Sequence, residues 1–399
     1  MTSPDTSSAG WVQEALREHE KAQGEHEAVT KFERHGSPQP LPGTVREELV
    51  LERIDRARRA RPRVKEERIV MSHGAGGKAT QTLIEAVFLD AFRNPLLEPL
   101  EDAARLHVGG ARLALTTDSY VVSPLFFPGG DIGDLAVNGT VNDLSMAGAL
   151  PLYLTAGFIL EEGFPIADLT RIVASMQAAA QRAGVQVVTG DTKVVEKGKA
   201  DGCYINTAGV GVIAEGVSLG VAQAKPGDAI LVSGPIGDHG VTIMLARGEL
   251  DIEADVVSDT APLNGLVADL VGAVPGVRAL RDATRGGVAT ILNEIASAAG
   301  VGVLVAEDDI PVRPAVRGAS ELLGIDPMYV ACEGTLVAVV DGGSAGAALA
   351  ALRAHPQGRE AAVIGHVTAD PPGIVQLKTA FGGTRIVDLL VGDPLPRIC

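Results

Sequence analysis

Glycine punctuates this chain. It supplies 48 of the 399 residues, about 12% against a usual share near 7%. The excess follows no triplet period, so it does not specify collagen; it specifies many backbone turns and close approaches between short elements. Aromatic residues are scarce, with 8 Phe, 4 Tyr and 1 Trp, which argues against a single-strand nucleic-acid platform built on stacked rings. Apolar residues make up 46%, enough for large cores, and the length suggests two or three domains at roughly 150 residues each.

The formal charge is −16, from 34 basic and 50 acidic side chains. A protein that neutralises phosphodiester backbones is normally basic, so nucleic acid is not an expected partner. Residues 1–66 hold 12 of each sign, and the remaining 333 carry the whole imbalance. Such a surface suits metal cations or a metal–nucleotide, although solubility alone also accounts for it. The three cysteines, Cys203, Cys332 and Cys399, are too few for a disulfide framework and fit a reducing cytosol. The N-terminus is polar, with no apolar signal core. The longest uncharged apolar run, Leu144 to Leu160, has 17 residues, short of the roughly 20 that a membrane span needs. We read it as core, and the protein as cytoplasmic with no membrane partner.

Residues 1–66 alternate in charge, with prolines at 38, 40 and 42 and an Arg-rich stretch from Arg53 to Arg63. Short helices at 11–34 and 44–60 with a thin apolar stripe predict an N-terminal extension, not a domain. From 67 the texture is globular. Lys78 to Arg93 puts Leu83, Ile84, Val87, Phe88 and Phe92 on one helical face. A strand over 112–117 ends at Asp118, a helix spans 133–148 and a strand 151–160. Pro165 and Gly184 bracket a helix, followed by strands at 185–189 and 204–213. The turn from Ala224 to Asp228 divides a domain over 67–223 from one over 224–392. The second reads as strands at 229–233, 302–306, 335–340, 361–367 and 385–390, with helices near 238–247, 261–273 and 288–299. Without a strict βαβ rhythm, this predicts an α+β fold of two domains with mixed sheets. Residues 393–399 contain two prolines and predict an extended, mobile tail.

Several segments carry chemistry. Ser72-His73-Gly74-Ala75-Gly76-Gly77-Lys78 precedes a helix, and its glycines let backbone N–H groups approach an anion. It is not a Walker A loop, because Ser72 stands where that motif needs glycine. A dinucleotide fingerprint would also want an acid about 20 positions on, and Glu98 is bracketed by prolines. A glycine turn without a ligand remains open. Asp118, Asp143 and Asp191 each close an apolar segment, as Thr117-Asp118-Ser119, Asn142-Asp143 and Gly190-Asp191-Thr192-Lys193. One such aspartate is most simply a cap or turn; three, with Lys193 beside one, favour Mg²⁺ at a phosphate. Arg281-Asp282-Ala283-Thr284-Arg285-Gly286-Gly287 offers a carboxylate, a guanidinium and a second glycine anion site. Gly237-Asp238-His239-Gly240 opens a helix in similar style. Together they suggest one polyphosphate site assembled from distant segments.

The chain ends Pro394-Leu395-Pro396-Arg397-Ile398-Cys399. Cys399 is not a prenylation box. Seven residues reach at most about 25 Å, so a thiol on this arm can visit a site and then present a cargo outside it. The neighbouring terminal carboxylate disfavours thiolate and Arg397 partly offsets it, so Cys399 is expected to need activation.

These residues resemble the HypE family, the carbamoyl dehydratases of [NiFe]-hydrogenase maturation within the AIR synthase-like superfamily, over about 67–399. The resemblance rests on His73–Gly77, Thr117–Ser119, Phe126–Gly130, Gly139–Asp143, Gly157–Gly163, Gly190–Lys193, Gly237–Gly240, Arg281–Gly287, Glu333-Gly334 and above all the terminal Pro-Arg-Ile-Cys. It implies that a partner, HypF, carbamoylates Cys399. ATP then drives dehydration to a thiocyanate, and the cyano group passes to iron on a HypC–HypD complex. It further implies a homodimer around a shared barrel of strands. By resemblance, Asp118, Asp143, Asp191 and Asp282 hold Mg²⁺ and the ATP phosphates, and His73, Gly74, Gly76 and Gly77 close over the nucleotide. Asn142, Thr192, Arg285 and Gly286 join the nucleotide site. Lys193 and Glu333 are placed at proton transfer and phosphate stabilisation, with Cys399 as the third catalytic residue. The extension at 1–66 is longer than the family usually has, and Cys332 stands where relatives often carry Asn.

Other enzymes of that superfamily are alternatives. Selenophosphate synthetase wants a cysteine or selenocysteine in the first glycine loop, and none is there. Thiamine-monophosphate kinase and AIR synthase leave the terminal Cys unexplained. A thiol carrier without ATP chemistry explains the tail but leaves the Asp–Gly segments idle.

Overall fold

The structure, a computed structural model, describes residues 63–248, 254–390, 392 and 397–399. The helices expected at 11–34 and 44–60, and most of the tail, lie outside the described residues. Among the described residues fourteen strands and eight principal helices follow one another. The strands are β1 (Ala104–Val108), β2 (Ala111–Tyr120), β3 (Phe126–Phe127), β4 (Gly130–Asp131), β5 (Ala149–Glu161), β6 (Gln186–Val195) and β7 (Cys203–Ile213). Then come β8 (Ala229–Val232), β9 (Val277–Asp282), β10 (Gly302–Ala306), β11 (Leu336–Val340), β12 (Ala362–Thr368), β13 (Val375–Lys378) and β14 (Thr384–Val387). The helices are α1 (Lys78–Leu83), α2 (Ile132–Met146), α3 (Ile166–Ala183), α4 (Asp238–Ala246), α5 (Asn264–Ala273), α6 (Gly287–Ala299), α7 (Pro314–Leu323) and α8 (Ala345–Ala354).

Two mixed sheets result, as expected for α+β. The first runs β1-β2-β7-β5-β6 and the second β14-β13-β10-β12-β8-β11-β9. In the first only β5 and β6 are parallel, and α3 makes the crossover between them. Its ends are set by Pro165 at the N-cap and Gly184 at the C-cap, where φ is +71°; a side chain would strain there and glycine does not. In the second sheet β10 and β13 are the parallel pair.

α2 lies on the first sheet, touching β2, β5 and β7, and reaches β9 and α5 on its other side. Every residue of it but Asp143 is buried. Close approach is possible because β7 has no side chain at Gly209. A Cβ there would fall 2.8–2.9 Å from Thr140, Leu144 and Leu154, nearer than carbon atoms pack. Among the described residues nothing covers the opposite face of this sheet, and Leu150 (62% exposed), Tyr153 and Ile159 are exposed there.

The run from Leu144 to Leu160 is core only in part: Leu144, Met146 and Leu154 are buried, but Leu150, Tyr153 and Ile159 are exposed because β5 is covered on one face. Among the described residues no helix is long and apolar enough to cross a membrane. Three local differences from the sequence reading have physical causes. β6 continues through Val195, beyond the expected 185–189, because β-branched residues at 187–189, 192, 194 and 195 sustain it. β9 was not anticipated, because Arg278 and Arg281 interrupt its apolar pattern; both are ion-paired, to Asp228 and Asp341 and to Asp102 and Glu294. The segment after α1 widens into a π-helical stretch, Ile84–Leu89, and Val87, Phe88 and Phe92 are exposed while Leu89 is buried.

Gly209→Val should lower thermal stability by about 1–3 kcal/mol through overpacking. Calorimetric unfolding checks this, and an unchanged Tm would refute the claim that α2 needs this gap.

Candidate active site

α2 carries Asn142 and Asp143 to the junction of the two sheets. Asn142 accepts from the Leu263 N–H at 2.7 Å and donates to the carbonyls of Ala261 (3.1 Å) and Glu333 (3.4 Å). Its amide thereby ties α2 to the second sheet's loops. Asp143 then meets Asp282 at the end of β9 and Asp102 just before β1. One carboxylate oxygen from each lies within 4.8 Å of the others. Thr116 donates to Asp143 at 2.8 Å, and Arg281 pairs with Asp102 at 3.0 Å. Asp118, on the inner side of β2 with Thr116 and Tyr120, adds further negative charge beside them.

The electrostatics follow from this crowding. Burial first, then Asp282, Asp102 and Asp118, push the Asp143 carboxyl well above the carboxylate range. Burial pushes Asp282 up to about 6 against the pull of Arg281. Burial likewise raises Asp102, with Arg281 opposing. An all-oxygen set of desolvated, mutually repelling carboxylates fits a hard divalent cation such as Mg²⁺, which takes oxygen ligands and cancels the repulsion.

Two glycine loops close on each other beside this cluster. Gly76 has φ +76°, and a Cβ on it would lie 2.7 Å from Arg285 Cβ and from the Arg285 carbonyl. Gly286, at φ +79°, would place a Cβ 3.2 Å from the Gly76 carbonyl. Only glycine permits that contact at those angles. Thr80 Oγ1 accepts from the Gly76 N–H at 3.0 Å, and Arg285 donates to the Gly74 carbonyl at 3.1 Å. Lys78 N–H is held by the Leu390 carbonyl at 2.9 Å. His73 is buried inside its own loop, where Nδ1 accepts from the Val70 N–H at 3.0 Å. Between the loops opens a cleft of about 770 Å³, lined among others by Gly77, Asp102, Asp282, Thr284, Arg285 and Glu294.

Glu333 and the chain end face the same cluster. Asp259 accepts from the N–H groups of Glu333 and Gly334, both at 3.0 Å, and from the Thr335 hydroxyl at 3.1 Å. Gly334 lies against the Asp259 carbonyl so closely that any side chain would collide. Glu333 is 4% exposed, and its Oε1 has no hydrogen-bond partner among the described residues. Burial, then Asp282, Asp259 and Asp118, raise its pKa well above the usual value, with Arg285 opposing. Cys399 is half-buried. Its thiol is also pushed up, by burial first and by Glu333, Asp118 and Asp282, while Arg285 offsets part of this. The thiol is thus disfavoured as thiolate, as the sequence suggested, but desolvation is the main cause.

The chain matches the family model of the AIR synthase related protein N-terminal domain over residues 100–213 and that of the C-terminal domain over 225–378. It is 58% identical over 331 residues to carbamoyl dehydratase HypE of Azotobacter vinelandii, covering 83% of this chain and 97% of that one. Against the Escherichia coli carbamoyl dehydratase HypE it is 49% identical over 336 residues, covering 83% and 99%. The chain belongs to the HypE family. Among solved structures, a HypE–HypF complex superposes with TM-score 0.74 at 51% identity over 77% of this chain and 99% of that chain. HypE in complex with ATP gives 0.70 at 50% identity over 83% and 100%. Thiamine monophosphate kinase from Aquifex aeolicus, at 18% identity and TM-score 0.55 over 75% of this chain and 96% of that chain, shares the fold.

In this HypE-family chain the structure brings together Asp118, Asp143, Asp282, Arg285, Gly76, Gly286, Glu333 and Cys399. Asp191, Thr192 and Lys193 lie elsewhere, on the edge strand β6. Asp191 shares its cross-sheet row with Gly157, Asn206 and Ser119, one residue out of step with Asp118. Alternation therefore puts Asp191 and Lys193 on the uncovered face, opposite Asp118 and roughly 14 Å across the sheet. Lys193 Nζ pairs with Asp191 at 2.5 Å, and with the Thr192 N–H it holds that carboxyl below its usual range. Sequence reasoning missed Asp102 and Asp259. Asp102 follows no apolar run, so the signal used for the other acids is absent; Asp259 sits in the polar stretch Ser258-Asp259-Thr260, which reads as a turn.

Asp143→Asn removes one of three repelling acids and keeps the Thr116 hydrogen bond. The ligand-free variant should melt a few degrees higher, for a gain of about 1 kcal/mol. Its thermal gain on adding Mg²⁺–ATP should shrink. A lower Tm without ligand, or an unchanged gain with it, would refute the cation reading.

Proposed function

We propose that this chain uses ATP to dehydrate an S-carbamoyl group on its own Cys399 to a thiocyanate, the source of the cyano ligand for the iron of a [NiFe]-hydrogenase. The observation that carries this is the docking of the chain's own terminal thiol among Glu333, Arg285 and the carboxylates, beside the glycine-loop cleft. The solved HypE complexes with ATP and with HypF support ATP as co-substrate and HypF as the partner that loads the thiol. HypC–HypD as acceptor follows from the family resemblance, as does a cytoplasmic setting.

The reaction removes one water from R–S–CO–NH₂. The carbamoyl oxygen attacks the γ-phosphorus of ATP and ADP leaves. The C–O bond then breaks with release of phosphate, while nitrogen gives up two protons and the C≡N bond forms. Each step has a residue suited to it. Arg285 is the cation beside the thiol and can hold charge developing on a transferring phosphoryl group. Glu333, whose neutral form its buried and acid-crowded setting favours, can donate a hydrogen bond to the carbamoyl group; its conjugate base, in the same low-polarity setting, is a strong acceptor for the nitrogen's protons. Burial of the tail excludes water, which would otherwise hydrolyse the activated carbamoyl group. Asp102, Asp143 and Asp282 would hold Mg²⁺, which supplies charge neutralisation at the phosphates.

A homodimer completes this reading. The apolar outer face of the first sheet is larger than isolated surface residues account for, and a second copy would cover it as a barrel. In one chain Lys193 lies on the opposite side of the sheet from Cys399, so the Lys193 acting on a given thiol would come from the partner protomer. Mixing Lys193→Ala and Cys399→Ser proteins, each inactive alone, should restore roughly a quarter of parental turnover through mixed dimers. No restoration would assign both residues to one protomer.

The function itself is tested by mass spectrometry of the C-terminal peptide. With a carbamoyl donor system the Cys399 peptide should gain a carbamoyl group, and with ATP it should lose one water. Cys203 and Cys332 are fully buried and should stay unmodified. A gain on the Cys332 peptide with none at the C-terminus would overturn the proposal.

A further inference from the structure

The motif Gly237–Gly240 does not join the phosphate loops. Asp238 pairs with Arg313 at 2.8 Å, and His239, fully buried on the first turn of α4, lies under the chain end. Its Nε2 is 2.6 Å from the Ile398 carbonyl oxygen and its Nδ1 is 2.8 Å from Ser258 Oγ. A carbonyl only accepts, so Nε2 carries the ring proton and Nδ1 accepts from the Ser258 hydroxyl. Ser258 Oγ in turn accepts from the Thr260 N–H at 3.2 Å, and Phe127 packs edge-on against the imidazole at 5.6 Å.

We propose that His239 is a positioning residue for the terminal thiol: a neutral donor, oriented by Ser258, that latches the Ile398 carbonyl and so fixes Cys399 against Arg285 and Glu333. This rests on the reading of Cys399 as the carrier. The rest of the tail's docking shows why register matters. Val121 and Ser123 donate their N–H groups to the backbone oxygens of Cys399 and Arg397, both at 3.2 Å. Arg247, just past α4, donates to the Arg397 carbonyl at 2.6 Å. Arg397 donates from Nε to the Val121 carbonyl at 3.3 Å and pairs with Asp201. Its backbone sits at φ +58°, a conformation that non-glycine residues hold only where surrounding contacts impose it. Ile398 is 5% exposed and belongs to the same apolar cluster as Val122, Phe127 and Val241. The contacts of Val121, Ser123 and His239 are all to backbone oxygens, and the one His239 holds belongs to the peptide joined to Cys399. Burial pushes the imidazole down to about 4, so it remains a neutral donor through the physiological range.

Two isosteres separate this role from plain packing. Asn at 239 can keep the Ser258 contact, on the Nδ1 side, and loses Ile398. Gln can place its amide nitrogen where Nε2 was. In the full-length protein, iodoacetamide should label Cys399 in His239→Asn roughly tenfold faster than in the parent, the effect of losing one buried hydrogen bond. His239→Gln should label near the parental rate. Ser258→Ala, which leaves the ring but frees its tautomer, should fall between. Peptide mapping restricts the readout to Cys399, and a parental thermal gain with Mg²⁺–ATP verifies folding. Equal labelling in the parent and His239→Asn, or equal acceleration in the Asn and Gln variants, would overturn the latch. The assay uses the unmodified thiol and no carbamoyl donor. A working latch on a tail that never gains a carbamoyl group would refute the carrier reading instead.

Discussion

The site depends on one helix that has no solvent face. α2 is pressed into the first sheet through the gap at Gly209, and the Thr140 and Thr207 hydroxyls meet at 2.5 Å in that contact. The helix's other side must then satisfy polar groups without water. Asp134, Asn138 and Asn142 recur every fourth residue and so share one stripe. Asp134 takes Arg182, Asn138 takes Asp134 and Thr260, and Asn142 takes Ala261, Leu263 and Glu333. A buried amide left unpaired costs about 1–3 kcal/mol, so this stripe fixes how the segment 258–263 and the loop at Glu333 lie against the first sheet. Asn142, read from sequence as a nucleotide residue, is engaged in this tie.

Docking the second sheet at that stripe forces acids together. Asp143 is the next residue after Asn142, and β9 ends at Asp282 in front of it. The fold thus stores repulsion among Asp102, Asp143 and Asp282 that only protons or a cation relieve. Arg281 relieves some of it, but it is shared between Asp102 and Glu294 at 3.0 and 2.5 Å. The arrangement is unfavourable for an empty site and favourable for a charged ligand, which is how stability is exchanged for binding.

Much of this was legible in the sequence. Pro165 and Gly184 bounded α3, and the glycine pairs marked loops that prove to touch each other. What was not legible is parity. Asp118 and Asp191 carry the same local signature, an acid among small β-formers, yet the cross-sheet register sets them one residue out of step. A strand's side chains alternate, so one step moves a side chain to the other face. No local pattern encodes that offset. Asp102 and His239 escaped for a related reason. Their partners, Asp143, Asp282 and Ile398, are distant in sequence, and each residue alone reads as a surface acid or a helix cap.

The chain end brings these constraints to the chemistry. A docked tail places the thiol where burial and three acids suppress its thiolate, and the thiolate is the nucleophile. Docking therefore protects Cys399 from adventitious reaction, and also makes it a poor acceptor for a new acyl group. In the proposed reaction, capture of a carbamoyl group and its dehydration want opposite environments: an accessible, ionisable thiol for the first, and a dry, crowded site for the second. A single rigid placement of Cys399 cannot serve both. A short chain end can, because its attachments are few and separately weak: two backbone N–H donors, one imidazole, two arginines and one isoleucine. Each contributes on the order of a kilocalorie. Together they hold the tail in register, yet a partner that offers comparable contacts outside can displace them. Placing the proposed carrier thiol on a segment held by so few attachments keeps that exchange within reach of ordinary binding energies.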